Sequence, residues 1–304
     1  MVASGKLRSI MNGRVGIALA LGLGRSLPPS IGYPLANWIA RRIATNRRLD
    51  MVQAARINQW VVNGCALSTA QLDQATLNCF RFTAHFLYDL YHYLDDLPGA
   101  NQRIRYAPEV ESLLEDMRNR KEGRVIVSLH LGNWDLVAQA AAREGLTALV
   151  LSFPNPHEGY RWQNQMRISA GLEILPTSRQ ALRCAAERLQ MGGAVMTAID
   201  RPAQGSRYRP RFFGRPTALP VHHIALALKA HVPVQVVCAI MQPDGVYLIQ
   251  ASEPVPMQPD PNRRAEILQN AEAILKVAEG FIRQAPQQWS MFYPVWPEAK
   301  AEIR

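Results

Sequence analysis

The chain is 304 residues long and 48% apolar, with four cysteines and a formal net charge of +10. That length and apolar share describe a globular body with ample core. The scattered cysteines, Cys65, Cys79, Cys184 and Cys238, contain no C-x-x-C pair, so they read as reduced packing residues and exclude a disulfide frame or zinc site. The positive excess selects phosphate-bearing partners: nucleic acid, anionic lipid or a phosphorylated substrate.

The charge is unevenly spread. The first 49 residues hold no acidic residue, whereas Lys6, Arg8, Arg14, Arg25, Arg41, Arg42, Arg47 and Arg48 are basic. Two apolar runs, 15–24 and 31–40, lie between them. Each is about half the ~20 residues a bilayer-spanning helix needs. Short apolar runs with basic flanks and Trp38 at an edge predict a segment lying in a membrane interface. Arg25 directly after the first run, and the lack of an A-x-A-like site, argue against a signal peptide.

Residues 50–98 read as helical. Ser68-Thr69 with Gln71 marks a helix start, and Pro98-Gly99 marks its end. His85, Asp89, His92 and Asp96 fall on one face of that helix, a pattern able to ligate metal. No second copy and no H-E-x-x-H accompanies it, so the reading is a polar stripe and no metal is expected.

A charged helix over 108–119 leads to the β-branched run Val125-Ile126-Val127, a buried strand that delivers His130 at its carboxyl end. The chain turns through Gly132-Asn133. Asn133 is placed to cap the next helix and Asp135 falls in its first turn, where the helix dipole favours a carboxylate. From there Asp135 is expected to fold back and orient the His130 imidazole, the orienter–base half of a Ser-His-Asp arrangement. No G-x-S-x-G elbow occurs in the chain, so the hydroxyl to be activated would belong to a substrate.

Downstream, the pattern predicts a strand over 147–153, a helix over 157–171 carrying Arg161 and Arg167, and a short strand at 172–175. A helix over 179–190 and a buried strand over 194–199 follow, with Asp200-Arg201 at the strand end, level with His130. From Arg201 to Gln242 acidic residues are again absent, and Arg201, Arg207, Arg209, Arg211 and Arg215 crowd one loop region suited to phosphate. Two strands, 232–241 and 246–252, flank the Pro243-Asp244-Gly245 turn, and a helix with an apolar stripe covers 263–285. Alternating strands and helices predict an α/β fold: a mostly parallel central sheet flanked by helices, with a basic helical N-terminal part. The organisation expected is a helical, membrane-associating segment over 1–98 and an α/β body over 99–304, together forming one continuous domain. Ligands of such sheets bind beyond the carboxyl ends of the strands, where His130 and the 154–156 loop fall.

The ordered set His130-Leu131-Gly132-Asn133-Trp134-Asp135, Ile199-Asp200-Arg201, Arg211-Phe212-Phe213-Gly214-Arg215-Pro216 and Ala218-Leu219-Pro220 resembles the bacterial lipid A biosynthesis acyltransferase family. That family includes late lipid A acyltransferases and the mycobacterial phosphatidylinositol mannoside acyltransferase. Pro286-Gln287-Gln288-Trp289 and Pro294-Val295-Trp296 resemble its closing block, closer to the mycobacterial branch. Three features depart from the family pattern: Arg209 and Arg211 stand near where some relatives carry an acidic residue, His222-His223 replaces small residues, and Gln235 replaces a proline.

The resemblance implies a membrane-associated O-acyltransferase at the cytoplasmic membrane face. It would move a fatty acyl chain from acyl-CoA or acyl carrier protein to a hydroxyl of a glycolipid, a phosphatidylinositol mannoside or lipid A precursor. His130 and Asp135 are the expected catalytic pair. Asn133, Arg167, Asp200, Arg201, Gly214 and Arg215 are the expected substrate contacts, with Arg167 best matching the family arginine that precedes a glycine, here Gly171. No cofactor, metal or nucleic acid is expected; the partners are anionic membrane lipid, the acyl donor and the glycolipid. The competing classes are a non-catalytic basic protein binding membrane or RNA, and a thioester or lipid hydrolase using His130 on water.

Overall fold

A computed structural model of the protein describes residues 14–119, 122–156, 158–203 and 205–303. Residues 1–13 of the basic segment, with Lys6 and Arg8, lie outside the described residues.

Four helices open the chain: α1 (Arg14–Ser26), α2 (Pro29–Ala44), α3 (Asp50–Val62) and α4 (Thr69–His92). Pro29 stands in the first turn of α2, where a missing N–H costs nothing. The predicted start of α4 is a full capping box: Ser68 accepts from the Gln71 N–H while the Gln71 side chain accepts from the Ser68 N–H. Pro98-Gly99 does not end this helix, which stops at His92. Asp96 instead caps a short α5 (Leu97–Gln102), accepting from the Gly99 N–H, and Pro98 sits in its first turn.

The sheet has seven strands: β1 (Ile104–Tyr106), β2 (Arg124–Gly132), β3 (Ala148–Ser152), β4 (Glu173–Pro176), β5 (Ala194–Ala198), β8 (Val234–Met241) and β9 (Tyr247–Ala251). Their order is β1-β9-β8-β2-β5-β3-β4. The five strands from β8 to β4 run parallel; β9 is antiparallel to β8, and β1 is parallel to β9. The mostly parallel α/β sheet expected from the sequence is therefore present. The edge strand β1 and a two-residue hairpin, β6 (Arg211–Phe212) with β7 (Arg215–Pro216), are additions that the sequence patterning did not single out.

Both faces of the sheet's centre are covered, which is why β2 and β3 read as continuous apolar runs rather than alternating ones. Side chains alternate along β2. Val125, Val127, Leu129 and Leu131 join the main core with α3, α9 (Arg179–Gln190), α10 (His222–Ala230) and α11 (Arg263–Gln284). Ile126 joins a second core with Phe86, Leu90 and Tyr91 of α4, Val110 and Leu113 of α6 (Pro108–Asn119), and Leu136 of α7 (Trp134–Arg143). The N-terminal helices thus share both cores with the sheet. Helix α8 (Glu158–Ser169) links β3 to β4 and packs against α1.

The aspartate–histidine stripe of α4 is used internally. His85 bonds to Asn37, His92 to the Gly24 carbonyl, and Asp89 accepts from the Tyr33 and Tyr247 hydroxyls. Burial pushes the Asp89 carboxyl up from its ordinary range. Among the described residues no group of His, Cys, Asp and Glu is arranged to hold a metal ion.

Candidate active site

In β2, a strand buried along its length, one residue is only half-buried: His130. Strand β2 lies beside β5 in a parallel register that pairs Ser128 with Ala198. Two steps further along both strands bring His130 opposite Asp200. The Asp200 carboxylate accepts from His130 Nδ1 at 2.7 Å through Oδ1. Its Oδ2 accepts from the His130 main-chain N–H and from Trp289 Nε1, each at 2.7 Å. Asp200 is fully buried. Burial alone would push its carboxyl up, but the electrostatic attraction of His130, with the hydrogen bonds from His130 and Trp289, outweighs that and holds it below the ordinary range. The carboxylate thereby fixes Nδ1 as the protonated nitrogen and leaves the Nε2 lone pair for chemistry.

The end of β2 is held by two further devices. The Ser290 N–H donates to the His130 carbonyl at 2.7 Å, and Leu131 bridges to Trp289. Gly132 then bends the strand with φ +69°; a Cβ there would stand 1.4 Å from the Ala239 carbonyl oxygen. Asn133 caps α7 by accepting from the Leu136 N–H, as expected.

The expected hydrogen bond from Asp135 to His130 is not made. The Asp135 carboxylate faces Arg167 of α8, accepting from Nε at 3.0 Å and Nη2 at 2.7 Å, and it also accepts from Gln139. The first turn of α7 carries it away from the imidazole, and a neighbouring strand supplies the partner instead. The substrate contacts expected from the sequence are redistributed too. Asp200 is occupied by His130 and Trp289, so it orients the imidazole and is closed to a ligand. Asn133 is buried, its amide donating to the Phe86 carbonyl and the Tyr247 hydroxyl. Gly214 forms the β6–β7 turn together with Phe213, both at positive φ, the geometry of a tight hairpin. Arg215 forks onto Glu302 and reaches the Cys65 sulfur. Neither Gly214 nor Arg215 reaches the cavity wall, although Pro216 and Thr217 do.

Arg167 and Arg201 do line the cavity. Arg167 is buried, bonded to Asp135 and Asn164, with its guanidinium over the Trp134 and Tyr160 rings. Its charge is already matched, which makes it a wall-building residue. Arg201 is different: its guanidinium carbon lies 4.4 Å from the Phe153 ring centre and 4.1 Å from that of Tyr293. A guanidinium so placed keeps N–H groups for an anion.

His130 opens onto a cavity of about 950 Å³ beyond the carboxyl ends of β2, β3 and β5. Ser128, Ser152, Tyr160 and Arg209 also line it. Ser128, Trp134 and Met196 are shared with a second, nearly all-apolar slot of about 80 Å³. That slot runs between the sheet and helices α6 and α7, walled by Leu113, Met117, Val137 and Ala141. Among the described residues no serine, threonine or cysteine side chain hydrogen-bonds to the imidazole. Sequence reading missed the Asp200–His130 contact, Trp289 as its second donor, and Tyr293 and Phe153 as the clamp on Arg201. The level placement of Asp200 beside His130 was the signal that pointed to the first.

The family model described as bacterial lipid A biosynthesis acyltransferase matches residues 15–298. The chain belongs to that family. Two phosphatidylinositol mannoside acyltransferases, from two strains of Mycobacterium tuberculosis, are each 31% identical over 111 residues, which is 35% of this chain and 35% of each relative. The chain thus spans about a third of the length of the curated relatives it matches. The family segment takes in α1, every strand of the sheet and the Trp289 block that closes on Asp200.

Proposed function

We propose that the protein transfers a fatty acyl chain from a thioester, acyl-CoA or acyl carrier protein, to a hydroxyl of a glycolipid at a membrane surface. The observation that carries this reading is the Asp200–His130 pair, opening on a large cavity with no nucleophile on the imidazole among the described residues. A base without its own nucleophile suits a direct, one-step acyl transfer.

In the proposed reaction the acceptor hydroxyl gives its proton to His130 Nε2 as its oxygen attacks the thioester carbonyl carbon. Asp200 balances the imidazolium that forms. The tetrahedral intermediate collapses, the carbon–sulfur bond breaks, and the leaving thiolate takes the proton back from Nε2. The apolar slot beside Trp134 and Met196 suits the carbonyl-proximal part of an acyl chain, since burying methylenes there is worth about 0.8 kcal/mol each. Arg201, on the cavity lining, suits a phosphate of the donor or acceptor.

The membrane part of the reading rests on α1 and α2. Leu19, Leu23, Ile31 and Trp38 stand exposed there, Trp38 beneath the Arg42 guanidinium. No described helix is long and apolar enough to cross a membrane, so we propose that these helices lie along the surface.

The test is transfer of labelled acyl chain from a thioester to a glycolipid extract. Wild-type protein is expected to form acylated glycolipid, and His130→Ala to form essentially none with circular dichroism unchanged. Free fatty acid released without acceptor, at the rate seen with it, would make the protein a hydrolase instead.

A further inference from the structure

Three threonines that line the cavity have their hydroxyl protons engaged elsewhere. Thr197 on β5 gives its hydroxyl proton to the Leu151 carbonyl, Thr177 after β4 gives its own to Ser152, and Thr217 after β7 gives its own to Val295. With its proton committed to the main chain, each hydroxyl keeps only acceptor capacity for any further partner. His222, the first residue of α10, also lines the cavity. Its Nε2 lies 3.1 Å from the Thr197 oxygen. Because that hydroxyl already donates to Leu151, the oxygen accepts and Nε2 carries the ring proton. Nδ1 is then an acceptor, and it has no hydrogen-bond partner among the described residues.

We infer that His222, set by Thr197, is a substrate-binding residue that accepts a hydrogen bond from a ring hydroxyl of a polyhydroxylated acceptor. The inference rests on the acyl-transfer reading above and names the chemistry one part of its site selects. Acceptor groups of this kind match a ligand rich in O–H donors, which a pyranose is. A phosphate, which only accepts, gains nothing from them, and a pantetheine arm carries too few donors to satisfy them. Burial supports the role by lowering His222 from its ordinary 6.5 to about 4, so the ring stays neutral and Nδ1 keeps its lone pair near neutral pH. Position 222 is also where the chain departs from the small residues its family resemblance led one to expect, which makes the contact a feature of this chain's own specificity.

The experiment has a binding arm and a kinetic arm. In the first, full-length protein with ¹⁵N-labelled histidine is titrated with methyl mannoside, methyl glucosaminide and pantetheine, the His222 resonances being assigned with His222→Gln. The expected result is an unprotonated Nδ1 that shifts with at least one of the two pyranosides and not with pantetheine. In the second, His222→Phe keeps a planar ring without nitrogens and is expected to raise KM for the glycolipid about three- to tenfold, the size of one lost neutral hydrogen bond, with KM for the thioester unchanged. His222→Gln, which retains a donor for Thr197 and an acceptor oxygen, is expected to recover part of that loss. A protonated Nδ1, a shift with pantetheine alone, no shift with either pyranoside, or a KM change confined to the thioester would overturn the inference. Failure of acyl transfer as the activity would show as no acylated glycolipid formed by the wild-type protein, and it leaves the binding arm readable.

Discussion

Asp200→Asn keeps the side-chain volume and an oxygen for the His130 main-chain and Trp289 N–H donors, but removes the charge that balances an imidazolium on His130. Under the proposed mechanism transfer should fall by at least ~10², as expected when a general base loses its orienting carboxylate. Folding should survive, as the CD spectrum would show. Asp135→Asn should act by another route. It leaves the Arg167 guanidinium, 4% exposed, without its matching carboxylate. Breaking one side of a buried pair costs about 3–5 kcal/mol. A clear drop in melting temperature for Asp135→Asn, with none of similar size for Asp200→Asn, separates an ion pair that builds the wall from a carboxylate that serves the base; equal drops would argue that both are structural. A third residue offers a pH test. His223 is buried with both ring nitrogens unpartnered, and burial holds its pKa well below 6.5. The folded state binds its proton later than the unfolded chain does, so stability is full above pH 6.5 and is lost as pH falls from there toward the folded value. His223→Leu leaves no partner stranded, so it should match or exceed wild-type stability at pH 7.5 and lose less between pH 6.5 and 4.5, as followed by thermal melts.

At the scale of elements, the junction from β2 to α7 governs where the imidazole stands. Gly132 combines a left-handed φ with backbone packed where a Cβ would go, and Ala239 belongs to the neighbouring strand β8, which cannot yield without moving the sheet. Gly132→Ala should destabilise the protein by at least ~3 kcal/mol, from strain and overpacking together, and chemical denaturation would measure it. The loss of a loop glycine with open space around it, such as Gly205, should cost less even though its φ is also positive. The Pro286–Gln288 3₁₀ turn is the second controlling element, since it delivers Trp289 to Asp200 and Ser290 to the His130 carbonyl. Its aromatic cluster, Trp289 with Phe212 and Trp296, ties the β6–β7 hairpin to the same point. The Phe-Phe-Gly block is thus an anchor for the site's floor, and Arg215 secures it to the chain's closing 3₁₀ turn through Glu302.

For the whole molecule, charge and exposed hydrocarbon fall together at one end of the chain. Helices α1 and α2 expose Leu19, Leu23 and Trp38, while the first 49 residues hold only basic charges. Helix α1 packs on α8, the helix that brings Tyr160, Asn164 and Arg167 to the cavity. A surface-bound α1 would therefore set the cavity close to lipid. Full-length protein should sediment with anionic vesicles and be released as salt rises, because each basic residue near an anionic surface contributes about 1 kcal/mol that salt screens. Trp38→Ala should weaken binding without changing its salt dependence. Equal binding to neutral and anionic vesicles at every salt concentration would overturn the electrostatic part of this picture.

The sequence by itself carried what is local. The β-branched run of β2, the Ser68–Gln71 box, the Asn133 cap and the strand–helix alternation are short-range patterns, and each element formed where its residues prescribe. The ordered blocks around His130, Asp200, Phe212 and Trp289 carried the family as well. Boundaries went astray where a residue serves two roles: Pro98 reads as a helix end, yet its fixed φ equally suits the first turn of the next helix. The tertiary structure decided the partnerships. Asp135 stands five residues from His130 and reads as its partner, but a helix turn separates their directions and Arg167, 32 residues on, claims the carboxylate. Asp200, 70 residues away, reaches the imidazole because parallel strands β2 and β5 lie in register, a relation set by the packing of the whole sheet rather than by spacing along the chain.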